Sequence, residues 1–228
     1  VLYPVLKRGL VAVGRAWFRL SATGADRVPR EGKLILAANH LSVLDPALIG
    51  CVCPRELDYM AKAELFRIPG FAGLIRRLNA HPVDRTGSDS AALRLALRLL
   101  GEGRAVLVFP EGTRGTEGRL RPAKAGTGML AALSEAPVVP VYVQGTGRAL
   151  PRGAVVPRPV RVTVTFGAPL RFARGRGRTR YQEISDEIMA AIGRLKTDAE
   201  RRHPAVAAVE DPRTDSTTRG RALAGRIH

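Results

Sequence analysis

Between residues 33 and 166 the chain alternates short, unbroken apolar runs with longer segments whose apolar positions recur every three or four residues. The runs at 33–38, 57–61, 80–83, 105–109, 138–143 and 161–166 have strand length, and several are too continuously apolar to have a solvated face. The segments at 46–53, 64–77, 90–102 and 124–134 predict helices. In the clearest of them, 90–102, Leu93, Leu97 and Leu100 share one face while Arg94 and Arg98 lie beside it. This alternation predicts an α/β fold with a largely parallel or mixed central sheet flanked by helices. In open sheets of that kind ligands bind beyond the carboxyl ends of the strands, so turns that follow strands are where chemistry is expected.

The ends of the chain read differently. Residues 3–20 predict a helix in which Lys7, Arg8, Arg15 and Arg19 fall within a sector of roughly 120°, with Leu2, Leu6, Leu10, Val13, Trp17 and Leu20 opposite and Val11 and Phe18 intruding toward the basic side. Such a basic amphipathic helix either packs on the protein's own core with its cations in water or lies in a membrane interface. A polar linker, SATGADRVPREGK, follows. Beyond the sheet, residues 171–180 hold five arginines and lead into a helix expected from 181 to about 201; residues 203–228 lack periodicity and are expected to be disordered. The expected division is an amphipathic helix at 1–20, an α/β domain at 21–202 and a tail at 203–228.

Composition sharpens this picture in two places. The hydrophobic and charged fractions, 45% and 25%, are ordinary, but the formal net charge is +17. That field draws anionic partners, such as phosphorylated substrates, anionic membranes or nucleic acid, unless it reflects only a general richness in arginine. No basic patch interleaved with aromatics and no nucleic-acid motif occurs, so nucleic acid is not expected as a partner. Cys51 and Cys53 have no neighbouring His or Cys in sequence to complete a zinc set and read as small buried apolar residues. No metal site is expected, the cytoplasm is the default compartment, and no apolar run nears the roughly 20 residues that span a bilayer.

Three strand-ending turns carry candidate chemistry. In NHLSVLDP, residues 39–46, His40 and Asp45 stand five positions apart; on a continuous helix they would be about 140° out of register, but a turn brings them together. Pro46 favours the turn, because it disfavours helix in the residue before it and suits the first turn of a new one. Asp45 can then orient His40 as a general base, or merely cap the following helix beside an ordinary turn histidine. No G-x-S-x-G elbow or activated cysteine supplies a protein nucleophile, so the base would act on a substrate hydroxyl. In FPEGTRGTEGR, residues 109–119, Pro110 and Gly112 suit a tight turn and Arg114 offers a planar fork for phosphate; Glu111 would hold an arginine or accept from a ligand hydroxyl. The alternative is a surface loop with a salt bridge. In HPVDR, residues 81–85, Arg85 can reach the same anion, and Lys62 ends another strand; each is alternatively a solvated surface charge.

In this order between residues 39 and 145, NHLSVLD, HPVDR, FPEGTRG and VVPVYVQG resemble the glycerolphosphate acyltransferase superfamily, most closely the 1-acylglycerol-3-phosphate acyltransferases. The segments MAKAELF, RPAKAGTGMLA and FGAPL are similar to the family's connecting segments, while the second motif departs from its usual form at His81-Pro82. The resemblance implies that His40 is the general base and Asp45 orients it, and that Arg85, Glu111, Gly112 and Arg114, with Lys62 more weakly, form the site for the acceptor's phosphate. It implies transfer of a fatty acyl group from acyl-CoA or acyl carrier protein to the free hydroxyl of 1-acylglycerol 3-phosphate, giving phosphatidic acid, with no metal or cofactor. It further implies a peripheral or monotopic enzyme on the cytoplasmic face of the membrane, with anionic lipids as partners. The motifs leave open another acceptor: glycerol 3-phosphate, a different lysophospholipid, a glycolipid or an amino-lipid. From another class, a non-catalytic basic module binding membrane or nucleic acid is the rival. Acyl length, the donor's carrier, the oligomeric state and the role of the arginine-rich stretch are not legible.

Overall fold

The computed structural model describes residues 2–83 and 90–202. Seven strands form one sheet: β1 (Ser21–Thr23), β2 (Leu34–Ala38), β3 (Asp58–Lys62), β4 (Ala80–Val83), β5 (Ala105–Val108), β6 (Val138–Gln144) and β7 (Thr163–Phe166). Their spatial order is β1-β7-β6-β2-β5-β3-β4, and every neighbouring pair is parallel except β6 and β7. The sheet is mixed, as expected. Helices α1 (Leu2–Phe18), α2 (Asp45–Val52), α3 (Phe71–Arg77), α4 (Ser90–Gly101), α5 (Ala125–Ser134), α6 (Thr146–Ala149) and α7 (Arg178–Arg202) surround or connect the strands.

Period-two alternation divides the core between the two faces. Leu34, Leu36 and Ala38 of β2 join Val139, Val141 and Val143 of β6 under α1, α2 and α3, where Phe18, Ile49 and Leu57 are buried. Ile35 and Ala37 point the other way with Val106 and Tyr142, covered by Leu99 and Leu100 of α4, Leu130 of α5, and Ile184, Ile188 and Ile192 of α7. All of β2 and β6 is buried, which is why β2 is wholly apolar and β6 holds only Tyr142 and the terminal Gln144 as polar residues. They are the centre of the sheet, and the carboxyl end of β2 is where the candidate base stands.

Two features depart from the sequence-based expectation, and a third, the antiparallel β7, is what makes the sheet mixed. The helix expected at 64–77 is broken into a 3-10 segment, Ala63–Arg67, and α3, because Pro69 removes a helical donor and Gly70 adopts φ 74°. The linker contributes a three-residue edge strand, β1, too short to show a period. The chain also reverses after β6 to form the antiparallel β7, turning at Gly145 (φ 93°), where a Cβ would collide with the Arg161 carbonyl oxygen.

Helix α1 turns Leu10, Val11, Gly14 and Phe18 toward the protein, with Gly14 close to Leu48 of α2 and Phe18 in the core. The intruding Val11 and Phe18 are therefore its packing face. Lys7 lies at the edge of that face and donates to the Cys53 and Arg55 carbonyls at 2.6 and 3.4 Å, while Val13 and Trp17 are exposed. Among the described residues no helix is long and apolar enough to cross a membrane.

Candidate active site

At the end of β2 the buried Asn39 side chain pairs with Val143 of β6 at both ends of its amide, donating to the carbonyl at 2.9 Å and accepting from the N–H at 2.7 Å. This locks the strand end before the chain turns. His40 follows in that turn, and Asp45 opens α2 with Pro46 behind it. One oxygen of the fully buried Asp45, Oδ2, accepts from Leu41 N–H at 2.6 Å, from Ser42 N–H at 2.8 Å and from the His40 ring at 2.8 Å. Asp45 is the first residue of α2 and makes no side-chain bond that caps it; instead it grips the preceding turn and so fixes the backbone that carries the imidazole it contacts.

Because a carboxylate only accepts, the proton of a neutral His40 belongs on Nδ1 and the lone pair on Nε2. The ring is stacked on Phe109 with centroids 4.0 Å apart and planes 18° from parallel, which limits its rotation. Its side chain is 15% exposed, enough for contact with a ligand but not for free hydration. Nε2 has no hydrogen-bond partner among the described residues.

The turn after β5 secures the same histidine from the other side. Glu111 is buried; its Oε1 accepts from His40 N–H and its Oε2 from Arg121 N–H, each at 3.1 Å, while Gly115 N–H donates to the His40 carbonyl at 2.6 Å. Burial pushes the Glu111 carboxyl up, and these N–H groups oppose the rise. Gly112 donates its N–H to the Phe109 carbonyl at 2.9 Å and sits at φ 68° with Lys124 packed where a Cβ would project. Both residues were expected at an acceptor's phosphate. In the structure the two Glu111 oxygens join this turn to the His40 turn and to Arg121, and the Gly112 N–H is used inside its own turn.

Arg114 is half-buried in that turn, and its carbonyl receives the Arg152 guanidinium. Lys62 is exposed at the same edge of the sheet, but β3 lies two strands from β2, about 10 Å at ordinary strand spacing. Arg85 lies outside the described residues. Cys51 and Cys53 are buried free thiols, and burial pushes the Cys51 thiol up to about 11, which excludes it as a nucleophile near neutral pH. Among the described residues no group of three or more His, Cys, Asp and Glu side chains is placed to hold a metal ion.

Several contributors escaped the sequence reading. Asn39 and Phe109 directly follow strand ends, an amide and an aromatic where the apolar runs stop. Glu117 had no such signal: its Oε1 accepts from Gly145 N–H at 2.8 Å, tying the loop after β5 to the end of β6. Burial pushes its carboxyl up and Asp45 adds to the rise, while the Gly145 N–H and Arg148 oppose it.

A histidine–aspartate pair thus stands on a turn at the carboxyl edge of a mixed sheet, with Phe109 and Glu111 of the neighbouring turn against it. Residues 19–144 match the family model described as Acyltransferase. The match covers over half of the chain, which belongs to that family. The 1-acyl-sn-glycerol-3-phosphate acyltransferase of Bacillus subtilis is 32% identical over 121 residues, 53% of this chain and 60% of that protein. The enzyme of the same description from Cocos nucifera is 32% identical over 143 residues, 61% of this chain and 46% of that one. The crystal structure of the 1-acyl-sn-glycerophosphate (LPA) acyltransferase PlsC from Thermotoga maritima superposes with a TM-score of 0.68 at 27% identity, covering 85% of this chain and 81% of that one. The matches thus span roughly half to three-fifths of these two relatives' length, whereas the structural likeness extends over most of both chains.

Proposed function

We propose that the protein transfers a fatty acyl group from a thioester donor, acyl-CoA or acyl carrier protein, to the free hydroxyl of 1-acylglycerol 3-phosphate, giving phosphatidic acid. The observation that carries this reading is the His40 Nδ1–Asp45 Oδ2 contact of 2.8 Å, which leaves the Nε2 lone pair available to a ligand hydroxyl. Nε2 removes the proton of the acceptor hydroxyl as its oxygen attacks the thioester carbonyl carbon; a C–O bond forms, the C–S bond breaks, and the departing thiolate takes the proton back from the imidazolium. Asp45 holds the ring and stabilises the transient cation. Arg114, whose neighbour Gly115 bonds the His40 carbonyl, is assigned the acceptor's phosphate together with Arg85, and with Lys62 more weakly.

The relatives' names support the acceptor, and the family supports the reaction class. A peripheral position on the cytoplasmic face of the membrane is part of the same proposal, supported by α1, whose exposed Trp17 and Val13 lie beside exposed Arg8 and Arg15.

The test is release of free coenzyme A on anionic liposomes carrying oleoyl-CoA with either 1-acylglycerol 3-phosphate or glycerol 3-phosphate, with His40→Ala beside the wild type. General-base catalysis predicts a loss of roughly 10²- to 10⁴-fold in turnover for the variant. Full activity in that variant removes the mechanism. Activity with glycerol 3-phosphate or another lipid hydroxyl in place of the lysophosphatidate changes the acceptor and leaves the chemistry standing.

A further inference from the structure

Seven large apolar side chains stand exposed among the described residues, and their placement is one-sided. Val43 lies in the turn after β2, Ile68 and Phe71 in the connection after β3, and Val155 and Val156 in the connection after β6; Val13 and Trp17 are on α1. The carboxyl end of α1 reaches the same edge, because Phe18 accepts from Val162 N–H at 2.9 Å and the next residue, Thr163, pairs with Gln144 at the end of β6. The connections at the opposite edge carry none of these side chains. A solvated surface scatters such residues, whereas a one-sided distribution marks a face that meets something apolar.

The most exposed of them, Val155 at 90% and Val156 at 71%, form the tip of a braced loop, residues 150–158. Its neck is closed by Arg158 N–H on the Ala149 carbonyl at 2.7 Å, and Ala154 N–H bonds the Pro151 carbonyl at 3.1 Å. The Ser42 hydroxyl donates to the Leu150 carbonyl at 3.1 Å, and the Arg152 guanidinium to that of Arg114, so the loop is fastened to both turns of the candidate active site. On its other flank the Trp17 indole N–H donates to the Pro157 carbonyl at 3.3 Å, joining the tip to α1. Around it stand the exposed Arg15, Arg19, Arg152, Arg158 and Arg161, and neither residues 1–25 nor residues 150–166 contain an acidic side chain.

We propose that this loop is a second membrane contact: Val155 and Val156 enter the acyl region of an anionic phospholipid leaflet while the surrounding arginines meet its phosphates, and the bond to Ser42 sets the catalytic turn at a fixed height above the lipid. Two bare valines in a ring of arginines match an anionic bilayer, which offers apolar depth beneath a layer of negative charge. The proposal rests on the preceding reading that the acceptor is taken from a bilayer, and it adds the orientation of the site toward it.

The test uses the full chain and vesicles of phosphatidylcholine with or without phosphatidylglycerol. A tryptophan placed at the tip, V155W in a W17F background, is expected to shift its emission to the blue on the anionic vesicles and to be quenched by brominated acyl chains. The paired variant V155D/V156D is expected to bind the same vesicles about tenfold more weakly or worse. Because both side chains are exposed, its thermal unfolding should match the wild type. Failure of the wild type to bind either vesicle overturns the membrane reading and the loop with it. Wild-type binding with an unshifted, unquenched V155W overturns the loop alone. Salt-sensitive binding that survives V155D/V156D also overturns insertion and leaves the face to an electrostatic partner such as an acidic protein.

Discussion

Replacing Asp45 with asparagine separates the two tasks that one carboxylate oxygen performs. The side-chain amide is nearly isosteric, and its carbonyl oxygen can still accept from Leu41 and Ser42, so the turn that carries His40 is retained. What disappears is the negative charge. With the ring atom 2.8 Å from Oδ2, the charge centres of an imidazolium and the carboxylate lie roughly 4 Å apart, worth about 4 kcal/mol at an effective dielectric near 20. Lost only in the transition state, that interaction corresponds to a fall in kcat of about 10³-fold. The folded state loses less: the new NH₂ takes the place of Oδ1, which is buried without a partner, at a cost of about 1–3 kcal/mol. Asp45→Ala, by contrast, leaves the Leu41 and Ser42 N–H groups without their acceptor and should reduce stability and activity together. The assay is coenzyme A release at saturating acceptor, with thermal unfolding recorded on the same preparations. A folded Asp45→Asn protein with kcat within tenfold of wild type would refute the charge-stabilisation argument. A change confined to the acceptor KM would place Asp45 in binding instead.

Three further outcomes are expected. Arg114→Ala should raise the acceptor KM by about 10- to 100-fold with kcat held, the equivalent of one charge-assisted phosphate contact, and an unchanged KM removes the phosphate assignment. Gly128→Ala puts a Cβ against the Tyr181 carbonyl and within 2.9 Å of Ser185 N, where α5 meets α7; a loss of about 1–3 kcal/mol is expected, and an unchanged unfolding midpoint would contradict that close approach. Glu117 is held above its ordinary carboxyl value of 4.5 chiefly by burial, so the folded state keeps a proton that the unfolded chain releases. Its contribution to stability is full below the unfolded value and is lost as pH rises through the folded one. Glu117→Gln keeps an oxygen for Gly145 and removes the titration, so its midpoint should vary less with pH above about 4.5, and parallel pH curves for the two proteins would argue against a raised carboxyl.

The legible parts of this fold are those dictated by local pattern. Strand β2 is apolar throughout and β6 nearly so because they are central, and Ser90–Gly101 shows its leucine face plainly. The turn holding His40 and Asp45 could be anticipated from Pro46 and the preceding strand, but its double use of Asp45 Oδ2 could not, since two of the three donors are main-chain groups common to every residue. The same reason explains Glu111: a glutamate beside an arginine suggests an ion pair, whereas this one bonds two N–H groups whose positions only the folded sheet defines. Glu117 and Gly145 lie 28 residues apart in different connections, beyond the reach of any periodicity. The α1 wheel placed most of its apolar residues together, yet the core selected Val11, Gly14 and Phe18 and left Trp17 outside, because packing follows the contour of α2 rather than the mean of the helix.

The bonds that secure the base have a consequence for biogenesis. His40 is held to Glu111 across 71 residues, and Asn39 to Val143 across 104, so neither contact exists until β2 has gathered β5 and β6 around it. Long-range contacts of this kind form late, since the loop they close must be ordered first. A nascent or partly folded chain therefore carries the histidine without the strand and neighbouring turn that hold its backbone in place. Thioester turnover should emerge only with completion of the central sheet, which makes recovery of activity during refolding a stricter reporter of native topology than recovery of helical signal.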